Sequence, residues 1–144
     1  MFNSILVVCV GNICRSPTGE RLFKKYLPAK KVSSAGIGAL VGHQADDKAS
    51  EVSMRHGVSV DGHIARQLTS SLCRENDLIL VMEQGHIEAV CAICPEVRGK
   101  IMLYGHWNDK LEIADPYKKS IEVFEHVFTQ LENSTIKWVN VLNR

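Results

Sequence analysis

The chain has 144 residues, 45% hydrophobic and 23% charged, which is enough apolar material for one core and makes a single domain over residues 1–144 the expectation. A net charge of +1 gives no electrostatic footprint for nucleic acid, and the sequence carries neither a signal-peptide pattern nor a run long enough to insert in a membrane. Five cysteines, an odd number without framework spacing, are expected to be reduced thiols of a cytoplasmic protein.

Ile5 to Val10 is near-continuous Ile, Leu and Val, the pattern of a strand buried on both faces and hence of a parallel sheet under helices. The next residues, Cys9-Val10-Gly11-Asn12-Ile13-Cys14-Arg15-Ser16, form a loop at the carboxyl end of that strand, where open α/β sheets bind ligands. Gly11 can take positive φ and Asn12 tolerates it, so the backbone can curl until successive amides converge on an anion. Ser16 is expected as an N-cap and Pro17 as the first helical residue, aiming a helix dipole at the same point. Arg15 adds a planar fork for two phosphate oxygens. A cysteine at the mouth of such a cradle is favoured as the thiolate for the same reason that phosphate is favoured there. Cys9 is thus read as a nucleophile beneath a bound phosphoryl group.

A helix is expected from Pro17 to about Tyr26, with Leu22, Phe23 and Tyr26 inward, then a short strand over Lys30–Ser34 and a glycine-rich loop over 35–42. Asp46–His56 reads as a helix with Ala49, Val52 and Met54 as its apolar contacts and Gly57 at its C-terminal end. Gly62–Gln67 is irregular, Thr69 caps a short helix to about Glu75, and Leu78–Met82 is the second strong strand. A helix over Gln84–Cys94 stops at Pro95, Ile101–Tyr104 is the last strand, and 105–114 is a polar loop in which Trp107 serves packing. Ser120–Leu142 is a long amphipathic helix with Val123, Phe124, Val127, Phe128, Leu131, Trp138 and Leu142 at helical spacing. Strands alternating with helices argue an α/β fold.

Phosphate-ester cleavage needs a proton for the leaving oxygen, worth about 10²–10⁴-fold. Asp115, in Asp115-Pro116-Tyr117, is the candidate. Taken alone an Asp-Pro pair is an ordinary turn, but this one follows the last strand and so falls at the cradle's end of the sheet. Tyr117 offers a flat wall for an aromatic leaving group.

Cys9-(five residues)-Arg15-Ser16 at the N-terminus with Asp115-Pro116-Tyr117 late in the chain closely resembles the low-molecular-weight protein tyrosine phosphatases. Val8-Cys9-Val10-Gly11-Asn12-Ile13-Cys14-Arg15-Ser16-Pro17, Ser34-Ala35-Gly36, Ala65-Arg66-Gln67 and Ala114-Asp115-Pro116-Tyr117 all look like family signatures. The resemblance implies a single-domain four-stranded parallel sheet with helices on both faces, the phosphotyrosine protein phosphatase I-like fold. It implies that Cys9 forms a cysteinyl-phosphate, Arg15 clamps the phosphoryl group, and Asp115 protonates the tyrosyl oxygen and then activates water. It makes Val10, Gly11, Asn12, Ile13, Cys14 and Ser16 the phosphate loop, with Ser16 donating to the Cys9 sulfur. Asn12 matches the left-handed loop residue, held by a network that includes Ser34. Leu40 and Tyr117 match the walls of the slot. No metal or other cofactor is implied, since loop amides and Arg15 supply the charge stabilisation.

Tyr117 is followed by Lys118 where many eukaryotic members have a second tyrosine, and Leu40 stands where an aromatic residue is common. Both features resemble the bacterial subgroup paired with tyrosine autokinases of capsule and exopolysaccharide export. The implied partner is a phosphotyrosine protein, the tail of a membrane autokinase. Cys14 is either an inert loop residue or the partner that traps an oxidised Cys9 as a disulfide. Cys91 and Cys94 form a Cys-x-x-Cys without the further ligands that zinc needs. An arsenate reductase with the same cradle would need such cysteines to relay a disulfide from Cys9. A non-catalytic phosphotyrosine-binding module has no use for Cys9, Arg15 and Asp115 together, and no Gly-Lys-Ser/Thr supports a nucleotide loop. Six dispersed histidines are expected mostly at the surface.

Overall fold

A strand with apolar side chains on both faces requires cover on both, and β1 (Ser4–Cys9), with Ile5 to Val8 fully buried, receives it. The computed structural model describes residues 2–143. In it β1 lies between β2 (Lys31–Gly36) and β3 (Leu78–Val81), with β4 (Ile101–Leu103) beyond β3. Every pairing is parallel: Cys9 stands beside Gly36, Val8 beside Val81, and Leu80 beside Met102. The α/β fold with a four-stranded parallel sheet is the one expected.

Side chains alternate along each strand, so the sheet divides the core in two. Ile5, Val7 and Cys9, with Leu78 and Leu80, meet α1 (Arg15–Tyr26), α2 (Asp47–Arg55) and α5 (Ile121–Leu142). Leu6, Val8, Ile79 and Val81 meet α3 (Ser70–Glu75) and α4 (Gln84–Ile93) on the other face. The chain leaves β1 toward β2 on one side and returns as β3 on the other. That reversal opens a crevice at the carboxyl ends of β1 and β3.

Local chemistry fixes the helix ends. The Asp46 carboxylate accepts from the amides of Lys48 at 2.9 Å and Ala49 at 3.3 Å, and Gly57 leaves α2 at φ +74. Thr69 Oγ1 accepts from the Leu72 amide. α5 buries Phe124, Val127, Phe128, Leu131 and Trp138, and Trp138 Nε1 donates to the Tyr104 carbonyl at 2.9 Å. Among the described residues no helix is long and apolar enough to cross a membrane.

Several boundaries differ from the sequence expectation, each for a local reason. β1 ends at Cys9 because Val10 has already turned into solvent, 42% exposed. β2 runs on to Gly36, where a Cβ would sit 2.4 Å from the Val10 carbonyl oxygen, so only glycine lets the loop pass so close. α1 begins at Arg15, two residues before Pro17, and Ser16 does not cap it; the Ser16 hydroxyl is turned to the Cys9 sulfur instead. Met54 points to solvent, and Ser53 takes the inward position beside Val52. The loop 105–114 is not polar throughout, since Ile113 is fully buried. Trp107 packs edge-on to Trp138, with ring centroids 5.8 Å apart.

Candidate active site

The crevice holds a cavity of about 180 Å³. Cys9, Val10, Gly11, Ile13, Cys14, Arg15, Leu40, Asp115 and Tyr117 all line it, together with Gly38. Asn12, Ser16 and Ser34, also singled out from the sequence, do not line it; they are buried directly behind its floor. Gly11 is not in a positive-φ conformation, contrary to the sequence expectation. Asn12 takes that conformation, at φ +57, because its side chain fixes the turn from both ends.

Asn12 Oδ1 accepts from the Arg66 amide at 2.9 Å, so its Nδ2 faces inward and donates to Ser16 Oγ at 2.7 Å and Ser34 Oγ at 3.0 Å. Because Ser16 Oγ accepts from Asn12, its own proton is free for Cys9 Sγ, 2.9 Å away. Ser34 in turn donates to Glu20 Oε1 at 2.7 Å. Burial alone would raise the Glu20 carboxyl, but the bonds from Ser34 and Lys24 hold it below the usual carboxylate range. The polar chain therefore runs outward from the Asn12 amide in two directions: on one side the Ser34 hydrogen goes to the Glu20 carboxylate, and on the other the Ser16 hydrogen points at sulfur. His63 Nε2 adds a 2.6 Å bond to the Asn12 carbonyl. Burial pushes this imidazole down, so it stays neutral and donates from Nε2.

Among the described residues, no loop carbonyl or side chain takes up the amides of Gly11, Asn12, Ile13 or Cys14. Arg15 beside them is 2% exposed. Its Nη1 donates to Glu83 Oε2 at 2.6 Å and to the Ile113 carbonyl at 2.7 Å. Among the described residues its Nε has no partner, and Nη2 has only Asp115 Oδ2 at 3.9 Å. One edge of the guanidinium is thus anchored, and the Nε/Nη2 edge keeps its donors for a bidentate anion.

Asp115 stands across the cavity, its side chain about half exposed. Its Oδ1 accepts from the Tyr117 amide at 3.1 Å, and Lys118 follows at φ +65 with its ammonium 5.5 Å from the Tyr117 ring centre. From outside, this loop receives one hydrogen bond among the described residues, from Lys48 Nζ to the Lys119 carbonyl at 2.6 Å. Cys14 is nearly buried; burial first, then the Asp46 carboxylate and the Cys9 sulfur, push its thiol up, so it keeps its proton at neutral pH. Cys91 and Cys94 lie in the core on the opposite face of the sheet from Cys9, which removes the relay an arsenate reductase would need.

Sequence reasoning missed Glu83, Glu20, His63 and Arg66. Glu83 follows β3 directly, and the strand-end rule that located Cys9 applies to it equally. Arg66 lies in the Ala65-Arg66-Gln67 segment, to which no role had been attached. His63 and His86 are not surface residues. The His86 side chain is 12% exposed, with Nε2 3.6 Å from Glu83, and burial and the Arg15 charge push its imidazole down.

The model of the family described as low molecular weight phosphotyrosine protein phosphatase matches residues 4–144. A probable low molecular weight protein-tyrosine-phosphatase, AmsI of Erwinia amylovora, is 62% identical over 144 residues, covering 100% of both chains. The crystal structure of the Erwinia amylovora tyrosine phosphatase AmsI superposes with a TM-score of 0.99, covering 100% of this chain and 95% of that one. Vibrio vulnificus Wzb, solved in complex with benzylphosphonate, is 52% identical with a TM-score of 0.96, covering 97% of this chain and 99% of that one.

Proposed function

The chain belongs to the low molecular weight phosphotyrosine protein phosphatases, and from that premise we propose that Cys9, Arg15 and Asp115 divide the hydrolysis of phosphotyrosine among them. The observation that carries this reading is the meeting of a buried sulfur, an open guanidinium edge and a carboxylate around one cavity. The Gly11–Cys14 amides and Arg15 Nε and Nη2 receive the three phosphoryl oxygens. Cys9 Sγ, with the Ser16 hydrogen directed at it, attacks phosphorus. The bond from phosphorus to the tyrosyl oxygen breaks as Asp115 gives that oxygen its proton. Asp115, now a carboxylate, takes a proton from water; the hydroxide attacks the cysteinyl-phosphate and the phosphorus–sulfur bond breaks. Phosphate leaves and both residues return to their starting states.

The depth of Cys9, 2% exposed below walls formed by Leu40 and Tyr117, supports an aryl ester. A flat ring fills the slot and carries its phosphate to the floor; a seryl side chain is too short to do so. Benzylphosphonate, the ligand of the Vibrio vulnificus relative, has this aryl-plus-phosphonate shape. Lys118 and Lys119 beside the slot favour a substrate with acidic or multiply phosphorylated flanks. Together with the resemblance to the bacterial subgroup, they support the cytoplasmic tyrosine-rich tail of a membrane autokinase of capsule or exopolysaccharide export as the substrate.

The test is turnover of phosphotyrosine against phosphoserine peptides of one sequence, with EDTA present and arsenate reduction followed alongside. Phosphotyrosine is expected to turn over in EDTA, phosphoserine to be left intact and arsenate to remain unreduced. Equal turnover of the two peptides overturns the slot argument, and thiol-coupled arsenate reduction overturns the reaction class.

A further inference from the structure

The face of the sheet opposite Cys9 carries three thiols that this reaction leaves unused, Cys73, Cys91 and Cys94. Cys73 belongs to α3, and Cys94 is the residue at which α4 stops, ahead of the turn Pro95–Lys100. Both are fully buried, in the same core cluster. A helical side chain lies back over the turn that precedes it, so Cys73 covers Ser70. The Ser70 carbonyl oxygen is 3.9 Å from Cys94 Sγ. Burial first, then the neighbouring Cys94 sulfur, push the Cys73 thiol up to about 11. Cys91, one turn earlier on α4, instead has Arg98 as its charged neighbour.

The pair is buried, but it is not deep. Cys94 donates to Glu96 Oε1 at 3.1 Å, and Glu96 Oε2 meets Arg74 at 3.6 Å. These two covering side chains are 59% and 53% exposed. With Lys100 they rim an open depression in the surface. α3 spans only six residues, and a peripheral helix that short opens locally far more often than the core strands do.

We propose that Cys73 and Cys94 are a second oxidation site of this chain, closing to an intramolecular disulfide under peroxide-class oxidants. When α3 opens, the Cys94 thiol loses its proton to solvent and the thiolate attacks one oxygen of hydrogen peroxide. The oxygen–oxygen bond breaks, and the departing hydroxide takes a proton from solvent and leaves as water. Cys94 is then a sulfenic acid. Cys73 sulfur attacks the Cys94 sulfur, the sulfur–oxygen bond breaks, and a second water leaves with the Cys73 proton. Two thiols and one peroxide become one disulfide and two waters, with two electrons passing from sulfur to oxygen. Burial makes this pair slower to react than a thiolate held in an anion cradle. The cross-link ties α3 to the end of α4 and closes a loop through β3 and Glu83.

The experiment is a peroxide titration of the reduced, full-length chain, quenched with an alkylating reagent and mapped by mass spectrometry. The expected product at high peroxide is a Cys73–Cys94 linked peptide pair with Cys91 alkylated. The thermal midpoint is expected to rise by roughly 5–10 °C, reversed by dithiothreitol. Cys91→Ser keeps the link and the shift, whereas Cys94→Ala loses both. A Cys91–Cys94 link, or Cys73 and Cys94 both still alkylated after Cys9 has been consumed, overturns the proposal. Since the mapping is done on the unsubstituted chain, it does not depend on any variant folding, nor on the role given to Cys9.

Discussion

The two loops that face each other across the cavity are held in opposite ways. The loop from Cys9 to Ser16 rests on partners drawn from four other segments, of which Ser34, Glu20 and His63 are buried. Ser34, Glu20 and Arg66 fix Asn12 and Ser16, His63 fixes the Asn12 carbonyl, and Glu83 fixes Arg15. Among the described residues, the loop from Asp115 to Lys119 has two internal hydrogen bonds, one bond from an exposed lysine, and a 3.9 Å contact with Arg15. The difference fits the work that the proposed mechanism gives each. Charge stabilisation depends on donors that need not reorganise, and these must be fixed before the substrate arrives. The acid must approach an oxygen whose position depends on the substrate, and then a water in its place, so slack there is tolerated.

The sharpest way to break this contrast is at the rigid loop. Cys9→Ser is expected to abolish turnover of p-nitrophenyl phosphate while inorganic phosphate still binds, read by calorimetry; retained turnover would remove the nucleophile. Next in size, Asp115→Asn should slow phosphotyrosine by about 10²–10⁴-fold and p-nitrophenyl phosphate much less, because a good leaving group needs little protonation. Equal slowing of both esters would show that Asp115 acts on binding rather than on proton transfer. Glu83→Gln weakens a charge-assisted bond to a buried guanidinium, and a loss of about 10–100-fold in kcat/KM is expected for good and poor leaving groups alike. Lys48→Met keeps an unbranched side chain of similar length but removes the ammonium, and with it the bond to Lys119 and the 6.0 Å approach to the Phe124 ring. Here a loss of about tenfold or less is expected, confined to poor leaving groups, with Lys48→Arg restoring most of it. A Lys48→Met defect that ignores the leaving group would mean that the lysine does not position Asp115.

The smallest effect is in pH. His63 and His86 are both held below their ordinary value, chiefly by burial. The unfolded chain therefore takes up these protons first as pH falls through about 6.5. Stability is fully present above that value and declines below it, down to the lowered native values. His63→Gln, which keeps a donor for the Asn12 carbonyl, should flatten part of this slope in denaturant titrations between about pH 5 and 7. An unchanged slope would acquit His63.

The rigid loop was also the more legible of the two. Cys9, Asn12, Arg15 and Ser16 lie within one short stretch, and the strand before them announces itself by composition, so local chemistry suffices. Asp115 was legible because it follows the last strand. Apart from Ser34, which the resemblance supplies, the partners that hold the rigid loop were not, for a physical reason: a hydrogen bond across the fold leaves no periodicity. Glu83 reaches Arg15 from 68 residues away, and Arg66 reaches Asn12 from 54. Glu20 sits among α1 residues that read as one amphipathic face, and nothing in the helix pattern says that its carboxylate turns toward Ser34. Ser16 carries two expectations, a cap from its residue type and a donor to sulfur from the resemblance; its hydroxyl takes the second, 2.9 Å from Cys9 Sγ, and leaves the helix end uncapped.

The second acceptor on Arg15 Nη1 is the main-chain oxygen of Ile113. Every residue type offers that oxygen, so side-chain scanning at 113 will not register it, and only an amide-to-ester replacement, which weakens the acceptor, or a rerouted backbone would. Half of the guanidinium's aim is thereby written into the path of the chain, where ordinary substitution can hardly erode it.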